Sequence, residues 1–504
     1  MTNSRDCVVF HLNGLRCEVS GASALLMVSE YLRQERGLVG TKIVCSEGDC
    51  GSCTVLVGRP AGDRLQYLPI DSCIQFVFQL DGAHLVTVEG LQGTQCASTA
   101  AGVCEGELTA VQQSMVDCHG SQCGFCTPGF VMAMTAVVEE TNGTPPDEAT
   151  WRESLTGNLC RCTGYSQIIE AGHQAAAASP AKLNTLYPPE AMLAHASDLR
   201  SQPIDIRANV TEGPCQIYSP VDLQDALQFR KENPNCCVVA GATDLGVQRN
   251  KGRVLPDALL DLNRIDSLTQ LTVEDGTNDA APTLVAGARV NWTDLLEWSR
   301  QNLPEYARVL EVFGSPQIRH AGTLGGNIIN ASPIADSLPL LFALDAQLCL
   351  SSTEGDRMVN ITEFYTDYKQ YDLRPEELLT EVRIPLPDES DLLRLYKISR
   401  RRDLDISTFT AAIRLQLDGD TITDAAVAYG AVGPTVLRMR QTEEALIGEP
   451  FTTQTMQAAG DAAVAEITPL TDVRGAADYR YQLARNVLQR FHAEHAAGQL
   501  ATSH

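Results

Sequence analysis

Eight cysteines fall into two groups whose spacing few folds can satisfy. Cys45-x4-Cys50-x2-Cys53 forms the first group, with Cys73 beyond a hairpin-sized excursion; Cys123-x2-Cys126 and Cys160-x-Cys162 form the second. Three sulfurs on one short loop must converge, so the backbone has to turn sharply between them. Gly48 and Gly51 can take positive φ there without a Cβ clash, and converging amides can stabilise anionic sulfur. The order C-x4-C-x2-C…C is the ligand spacing of plant-type [2Fe-2S] sites. A four-cysteine zinc site is the alternative, although such sites usually pair two short knuckles.

In the second group, Cys123-Gly-Phe-Cys126 precedes a helix expected to open at Thr127 (N-cap) and Pro128 (N1) and to run to about Glu140. Cys160-Arg-Cys162 precedes another helix, expected from Tyr165 to Ala178. The dipole and free amides of a helix start favour thiolates, and the chain between Cys126 and Cys160 suffices for a helix out and a helix back. Alone, this quartet would also permit zinc; beside the first it reads as a second [2Fe-2S] site. The other nine cysteines, Cys96, Cys104 and Cys118 among them, lack such spacing and read as small buried hydrophobes.

The chain has 504 residues, enough for three or four domains. No stretch approaches the roughly 18 apolar residues of a membrane span, and residues 1–10 run into a strand pattern unlike a signal peptide. A formal charge of −25 argues against nucleic-acid and anionic-membrane partners. Seventeen cysteines in a chain this long suggest a reducing, cytoplasmic setting rather than a disulfide scaffold. Residues 1–90 read as β-rich, with a hairpin at Asn13-Gly14 and a short amphipathic helix over 24–33. Residues 91–180 read as helical, 181–213 as a linker rich in proline and polar residues, 214–380 as alternating strand and helix, and 381–500 as a last α+β unit.

Two further segments suggest a nucleotide. Val239-Ala240-Gly241-Ala242-Thr243-Asp244-Leu245 reads as a strand entering a tight small-residue loop. Arg319 to Asp336 holds Gly322, Gly325 and Gly326 among hydrogen-bonding side chains. Such loops let amides approach a pyrophosphate. Neither matches G-x-G-x-x-G, so a Rossmann site is not expected, and a plain loop remains an alternative for each.

Taken together, Glu47-Gly48-Asp49-Cys50-Gly51-Ser52-Cys53-Thr54, Gln122-Cys123-Gly124-Phe125-Cys126-Thr127-Pro128-Gly129, Gly157-Asn158-Leu159-Cys160-Arg161-Cys162-Thr163-Gly164-Tyr165 and Gly325-Gly326-Asn327-Ile328 through Asp336 resemble the small iron–sulfur and flavin subunit of bacterial xanthine dehydrogenases, in the molybdenum hydroxylase family. The likeness extends over about residues 8–495. It departs at Ile43-Val44, and at Gly430-Ala431-Val432-Gly433, where relatives carry a Gly-Gly form.

The resemblance implies a multidomain α+β chain. Its parts would be a plant-type ferredoxin β-grasp domain, a helical [2Fe-2S] domain, a two-part FAD-binding domain of the vanillyl-alcohol-oxidase/CO-dehydrogenase-flavoprotein type, and a C-terminal flavoprotein domain. It implies that Val239, Gly241, Ala242, Thr243, Asp244, Leu245, Thr323, Gly326, Asn327, Asn330, Asp336 and Lys397 hold FAD, with Phe313 near the isoalloxazine and Lys397 in a flanking loop. Arg400 to Asp405 would draw in an anionic dinucleotide or be a solvated turn. The implied activity is NAD-dependent xanthine dehydrogenase. Electrons would leave a molybdopterin cofactor on a large partner subunit, cross the Cys123 quartet and then the Cys45 quartet, and reach FAD and NAD+ as hypoxanthine or xanthine becomes urate. No catalytic residue for the hydroxylation is expected in this chain, and two small and two large chains would form a heterotetramer. Another heterocycle or an aldehyde as substrate, oxygen or a quinone as acceptor, and a zinc-bearing scaffold are the alternatives.

Overall fold

A computed structural model describes residues 4–92, 107–141, 144–178, 180–210, 213–276 and 281–496. Cys96 and Cys104 lie outside the described residues. The chain divides into two compact units, one of residues 1–266 with 314–322, the other of residues 267–313 with 323–504.

The first unit opens with a mixed five-stranded sheet in the order Leu15–Ser20, Cys7–Leu12, His84–Val86, Thr54–Ala61, Arg64–Asp71. The hairpin at Asn13-Gly14 forms with φ of 49° and 83°, the left-handed pair that a two-residue turn requires. The amphipathic helix expected over 24–33 breaks into short turns, Gly21–Leu25, Val28–Glu30 and Tyr31–Glu35. Leu26 and Met27 are extended between them (ψ 151° and 144°), because the chain pairs there with the Phe76 segment: Val28 N donates to Gln75 O at 2.8 Å and Val77 N to Leu26 O at 3.0 Å.

Helices Ala110–Asp117, Thr127–Glu140, Glu148–Ser154 and Ser166–Ala177 follow, their apolar faces closing on Leu56, Leu65 and Tyr67 of the sheet. The expected linker is instead ordered, with helix Glu190–Arg200 and strand Ile204–Val210. Its proline and polar content hid alternating buried positions at Ile204, Ile206 and Ala208. That strand heads a second sheet in the order Ile204–Val210, Gly213–Ser219, Ala258–Asp261, Cys237–Val239. Ile206, Ile217, Val239 and Leu245 share one apolar core with Val8, Phe10 and Phe76 of the first sheet.

The second unit holds an antiparallel sheet, Leu271–Glu274, Thr283–Gly287, Leu378–Pro385, Gln347–Ser352, Gly355–Asn360. A second sheet, Leu392–Ile398, Phe409–Asp418, Thr421–Gly430, Leu437–Arg438, is backed by helices Thr453–Glu466 and Ala477–Ala496. Lys397 therefore belongs to a strand rather than to the expected flanking loop.

Candidate cofactor sites

The loop from Cys45 to Cys53 is irregular, as its composition requires, with Ser46, Gly48 and Gly51 at φ of 56°, 75° and 64°. The turns bring the four sulfurs together: Cys45 meets the thiols of Cys50 and Cys73, and Cys53 meets that of Cys73. Hydrogen bonds from Cys50 and Cys73, helped by the amides of Glu47 and Asp49, hold the Cys45 sulfur far below the ordinary thiol range. The same contacts push Cys50 and Cys73 upward. Iron entering the quartet would displace those shared protons. Asp71, which the sequence reading missed, closes the floor. It accepts from Cys53 Sγ at 3.5 Å, and burial, reinforced by the neighbouring Cys53, keeps its carboxyl well above the usual range.

The second quartet also pairs its sulfurs. Cys162 Sγ lies 3.6 Å from Cys123 Sγ, and Cys126 interacts with Cys160. The Phe125 amide and then the Cys162 thiol lower Cys123. Burial raises Cys160, but the Thr163 hydroxyl at 3.2 Å and amide at 3.4 Å outweigh it, and the net direction is down. The helix starts lie one residue from expectation. Cys126 itself, not Thr127, caps Thr127–Glu140, and Tyr165 (φ 74°) caps Ser166–Ala177. Among the described residues no three His, Cys, Asp or Glu side chains are arranged around a single metal ion. Four sulfurs joined in pairs, with amides directed at them, suit a diiron cluster, two sulfurs to each iron.

In the first unit, Ala242 (φ 59°) turns strand Cys237–Val239 into helix Thr243–Asn250, so the expected loop is the helix's own first turn. A Cβ on Gly241 would sit 2.0 Å from Ala321 O, so only glycine fits. The Thr243, Asp244 and Leu245 amides have no acceptor among the described residues, which suits an anionic group such as a pyrophosphate.

In the second unit, the Gly325-Gly326 segment is not an open loop but helix Leu324–Asn330. Its first amides are already used: Leu324 N donates to Val290 O at 2.9 Å, Gly325 N to Ala288 O at 2.8 Å and Gly326 N to Thr323 Oγ1 at 3.1 Å. Gly325 serves close packing instead, since its Cβ would meet Ala288 O at 2.6 Å. What this segment can offer a ligand is therefore side chains. Asn327 Oδ1 accepts from Ser337 Oγ at 2.6 Å, and Asn330 Oδ1 accepts from Lys369 Nζ at 2.7 Å. Asp336 pairs with Lys397 and accepts from Ser407 Oγ at 2.5 Å. Phe313 packs edge-on against Trp292, centroids 4.7 Å apart. Arg400, Arg401 and Arg402 are exposed on a turn held by the Arg401 amide to Asp405 at 2.8 Å. The partners Ser337, Lys369 and Ser407 had no signal in the sequence.

Three protein families match this chain. Residues 87–173 match a [2Fe-2S] binding domain, residues 213–387 the FAD binding domain in molybdopterin dehydrogenase, and residues 394–495 the CO dehydrogenase flavoprotein C-terminal domain. Xanthine dehydrogenase 1 of Arabidopsis thaliana is 27% identical over 96% of this chain, and aldehyde oxidase 1 of Bos taurus 27% identical over 97%. The chain spans 39% of the length of each. Among solved structures, carbon monoxide dehydrogenase from Hydrogenophaga pseudoflava aligns with a TM-score of 0.51 and 29% identity, covering 54% of this chain and 94% of that one. The chain thus joins a [2Fe-2S] binding domain to a two-part flavoprotein region. Its domain set, with the xanthine dehydrogenase relatives, fits the small iron–sulfur and FAD subunit of a molybdenum hydroxylase.

Proposed function

We propose that this chain is the electron-transfer subunit of a xanthine dehydrogenase. Electrons would come from a molybdopterin cofactor on a large partner subunit, as hypoxanthine or xanthine is oxidised to urate, and would leave as hydride to NAD+. When bound, two [2Fe-2S] clusters carry electrons singly and FAD accepts them singly and releases them in pairs, which NAD+ requires.

The observation that carries this reading is the presence in one compact unit of two quartets of neighbouring cysteine sulfurs and a glycine-turn helix start with unused amides. Cys45, Cys50, Cys53 and Cys73 would hold one cluster, and Cys123, Cys126, Cys160 and Cys162 the other. Thr243, Asp244 and Leu245 would bind the flavin's pyrophosphate, with Asp336, Asn327, Asn330 and Lys397 reserved for its other polar groups and Phe313 for its ring.

The direction of flow follows exposure. Cys123 and Cys162 are exposed, flanked by Phe125 and Leu159 at 50% and 43%, while Cys53 and Cys73 are buried. The open quartet suits a donor on another chain, and its apolar rim suits a protein surface. A heterotetramer of two small and two large chains in the cytoplasm completes the proposal; among the described residues no helix is long and apolar enough to cross a membrane. The relative named as an aldehyde oxidase favours keeping an aldehyde as a second reading for the partner's substrate.

Iron, zinc and flavin analysis of the purified chain tests the reading. About four irons with one FAD, and NADH oxidation by artificial acceptors without xanthine turnover, are expected. Zinc in place of iron with no flavin would refute it.

A further inference from the structure

The two cysteine loops are keyed together by a buried amide network. Gly51 O accepts three hydrogen bonds, from Thr54 N at 3.1 Å, Thr54 Oγ1 at 2.6 Å and Asn158 Nδ2 at 2.9 Å. Because the Thr54 hydroxyl donates to that carbonyl, it is an acceptor for Gln317 Nε2, at 3.2 Å. Gln317 Nε2 also donates to Asn158 Oδ1 at 2.9 Å. The donor directions fix both amide orientations, since a flipped Gln317 would face the Asn158 oxygen with its own. Thr54, Asn158 and Gln317 are only 1%, 2% and 1% exposed.

This key sits over a single backbone hydrogen bond. Leu159 N donates to Cys50 O at 3.0 Å. Cys50 belongs to the first quartet and Leu159 is bonded to Cys160 of the second. The bond thus completes a route from one ligand to the other made of covalent bonds and one hydrogen bond. The neighbouring glycines permit the approach: a Cβ on Gly51 would lie 2.3 Å from Gly157 O, and one on Gly157 would lie 2.0 Å from Gln317 Oε1.

We propose that Gln317 and Asn158 are positioning residues that hold the Cys50 carbonyl on the Leu159 amide, and that this hydrogen bond is the electron-transfer link between the two quartets. The inference rests on the two-cluster reading above. The step moves one electron. With clusters bound, an iron held by the Cys123 quartet would pass from ferrous to ferric as one held by the Cys45 quartet passed from ferric to ferrous, with no bond broken and no proton moved. Gln317 matters because it belongs to neither cysteine loop yet ties Thr54, next to Cys53, to Asn158, two residues before Cys160.

The test uses the full chain with its iron and flavin, wild type and Gln317→Met, which keeps volume and removes both donors. Dithionite is the reductant. The expected result is unchanged iron and flavin content and unchanged g-values for each cluster. The through-bond part of the magnetic interaction between the two reduced clusters should weaken, and electron equilibration after rapid half-reduction should slow. Unchanged interaction and rate would overturn the proposal. If Gln317→Met does not accumulate, Asn158→Ser removes the Gln317–Asn158 bond from the other side, together with the Asn158 bonds to Gly51 O and Thr54 Oγ1, and is read the same way. Loss of iron along with the coupling in both variants would also overturn it, since the residues would then be purely structural. Absence of about four irons from the wild-type chain would mean instead that the two-cluster reading has failed.

Discussion

Cys123 Sγ and Cys162 Sγ stand 3.6 Å apart on the exposed side of the second quartet, whereas Cys53 and Cys73 of the first are 2% and 3% exposed. A chelator must reach the iron it removes, and iron held by exposed cysteines is the easier to reach. In the isolated chain a chelator is therefore expected to abolish the second quartet's EPR signal first. Under the proposed partnership, binding of a large subunit should slow that loss, because the rim at Phe125 and Leu159 would then be covered. Earlier loss of the first signal would contradict both the assignment and the docking face.

Crowding at the glycines gives a second expectation. A Cβ on Gly129 would lie 2.1 Å from Gly51 O, backbone against backbone, inside the loop that carries Cys50 and Cys53. Gly129→Ala has to move that loop, at a cost of about 1–3 kcal/mol, and should lower the iron bound by the first quartet although the substitution lies beside the second. Gly164→Ala is the control. Its Cβ meets nothing within 4 Å, so only the left-handed backbone (φ 73°) resists it, by roughly 1 kcal/mol. Urea unfolding and iron content of the two variants, measured together, separate crowding from backbone strain.

The sharp turns that gather the cysteine sulfurs were legible because spacing and glycine placement are local properties. Gly48 and Gly51 do adopt positive φ, and the helix out from Cys126 and the helix back before Cys160 both form. What sequence hid was set by tertiary pairing. Leu26 and Met27 leave the expected helix because the Phe76 segment offers them backbone partners. Gly325 and Gly326 looked like an open phosphate loop, yet Val290 and Ala288, remote in sequence, take up the Leu324 and Gly325 amides, and the Thr323 hydroxyl takes up that of Gly326. Gln317 carries no motif at all, and its role exists only once three separate segments meet.

The Asp336–Lys397 pair is nearly sealed, with side chains 8% and 6% exposed. Lys397 Nζ has one further acceptor, Asp405 O at 3.0 Å. Asp336→Ala would leave a buried ammonium with that carbonyl alone, and breaking such a pair costs about 3–5 kcal/mol. The second unit should unfold at lower urea in the variant. Under the FAD assignment, flavin retention should fall as well. A stability loss with full flavin retention would place Asp336 in the scaffold and remove it from the ligand set.

His84 supplies an acid-sensitive element away from the cysteines. It is fully buried, its Nε2 accepts from Gly14 N at 3.0 Å, and its Nδ1 lies 2.8 Å from Tyr67 OH. Because Nε2 accepts, Nδ1 carries the single proton of a neutral ring and donates to the tyrosine oxygen. Burial, with a smaller contribution from His11, lowers its pKa from 6.5 to about 3. The unfolded chain therefore binds a proton below pH 6.5 that the folded chain refuses. The stability is fully present above pH 6.5 and falls with acidification by about 1.4 kcal/mol per pH unit, until the folded ring itself protonates near pH 3. Between neutral pH and pH 5 this residue alone should cost about 2 kcal/mol. His84→Gln keeps polar atoms near Gly14 and Tyr67 but does not titrate, so its urea midpoint should fall less over the same interval than that of wild type. Parallel pH profiles for the two proteins would show that His84 is not the group responsible.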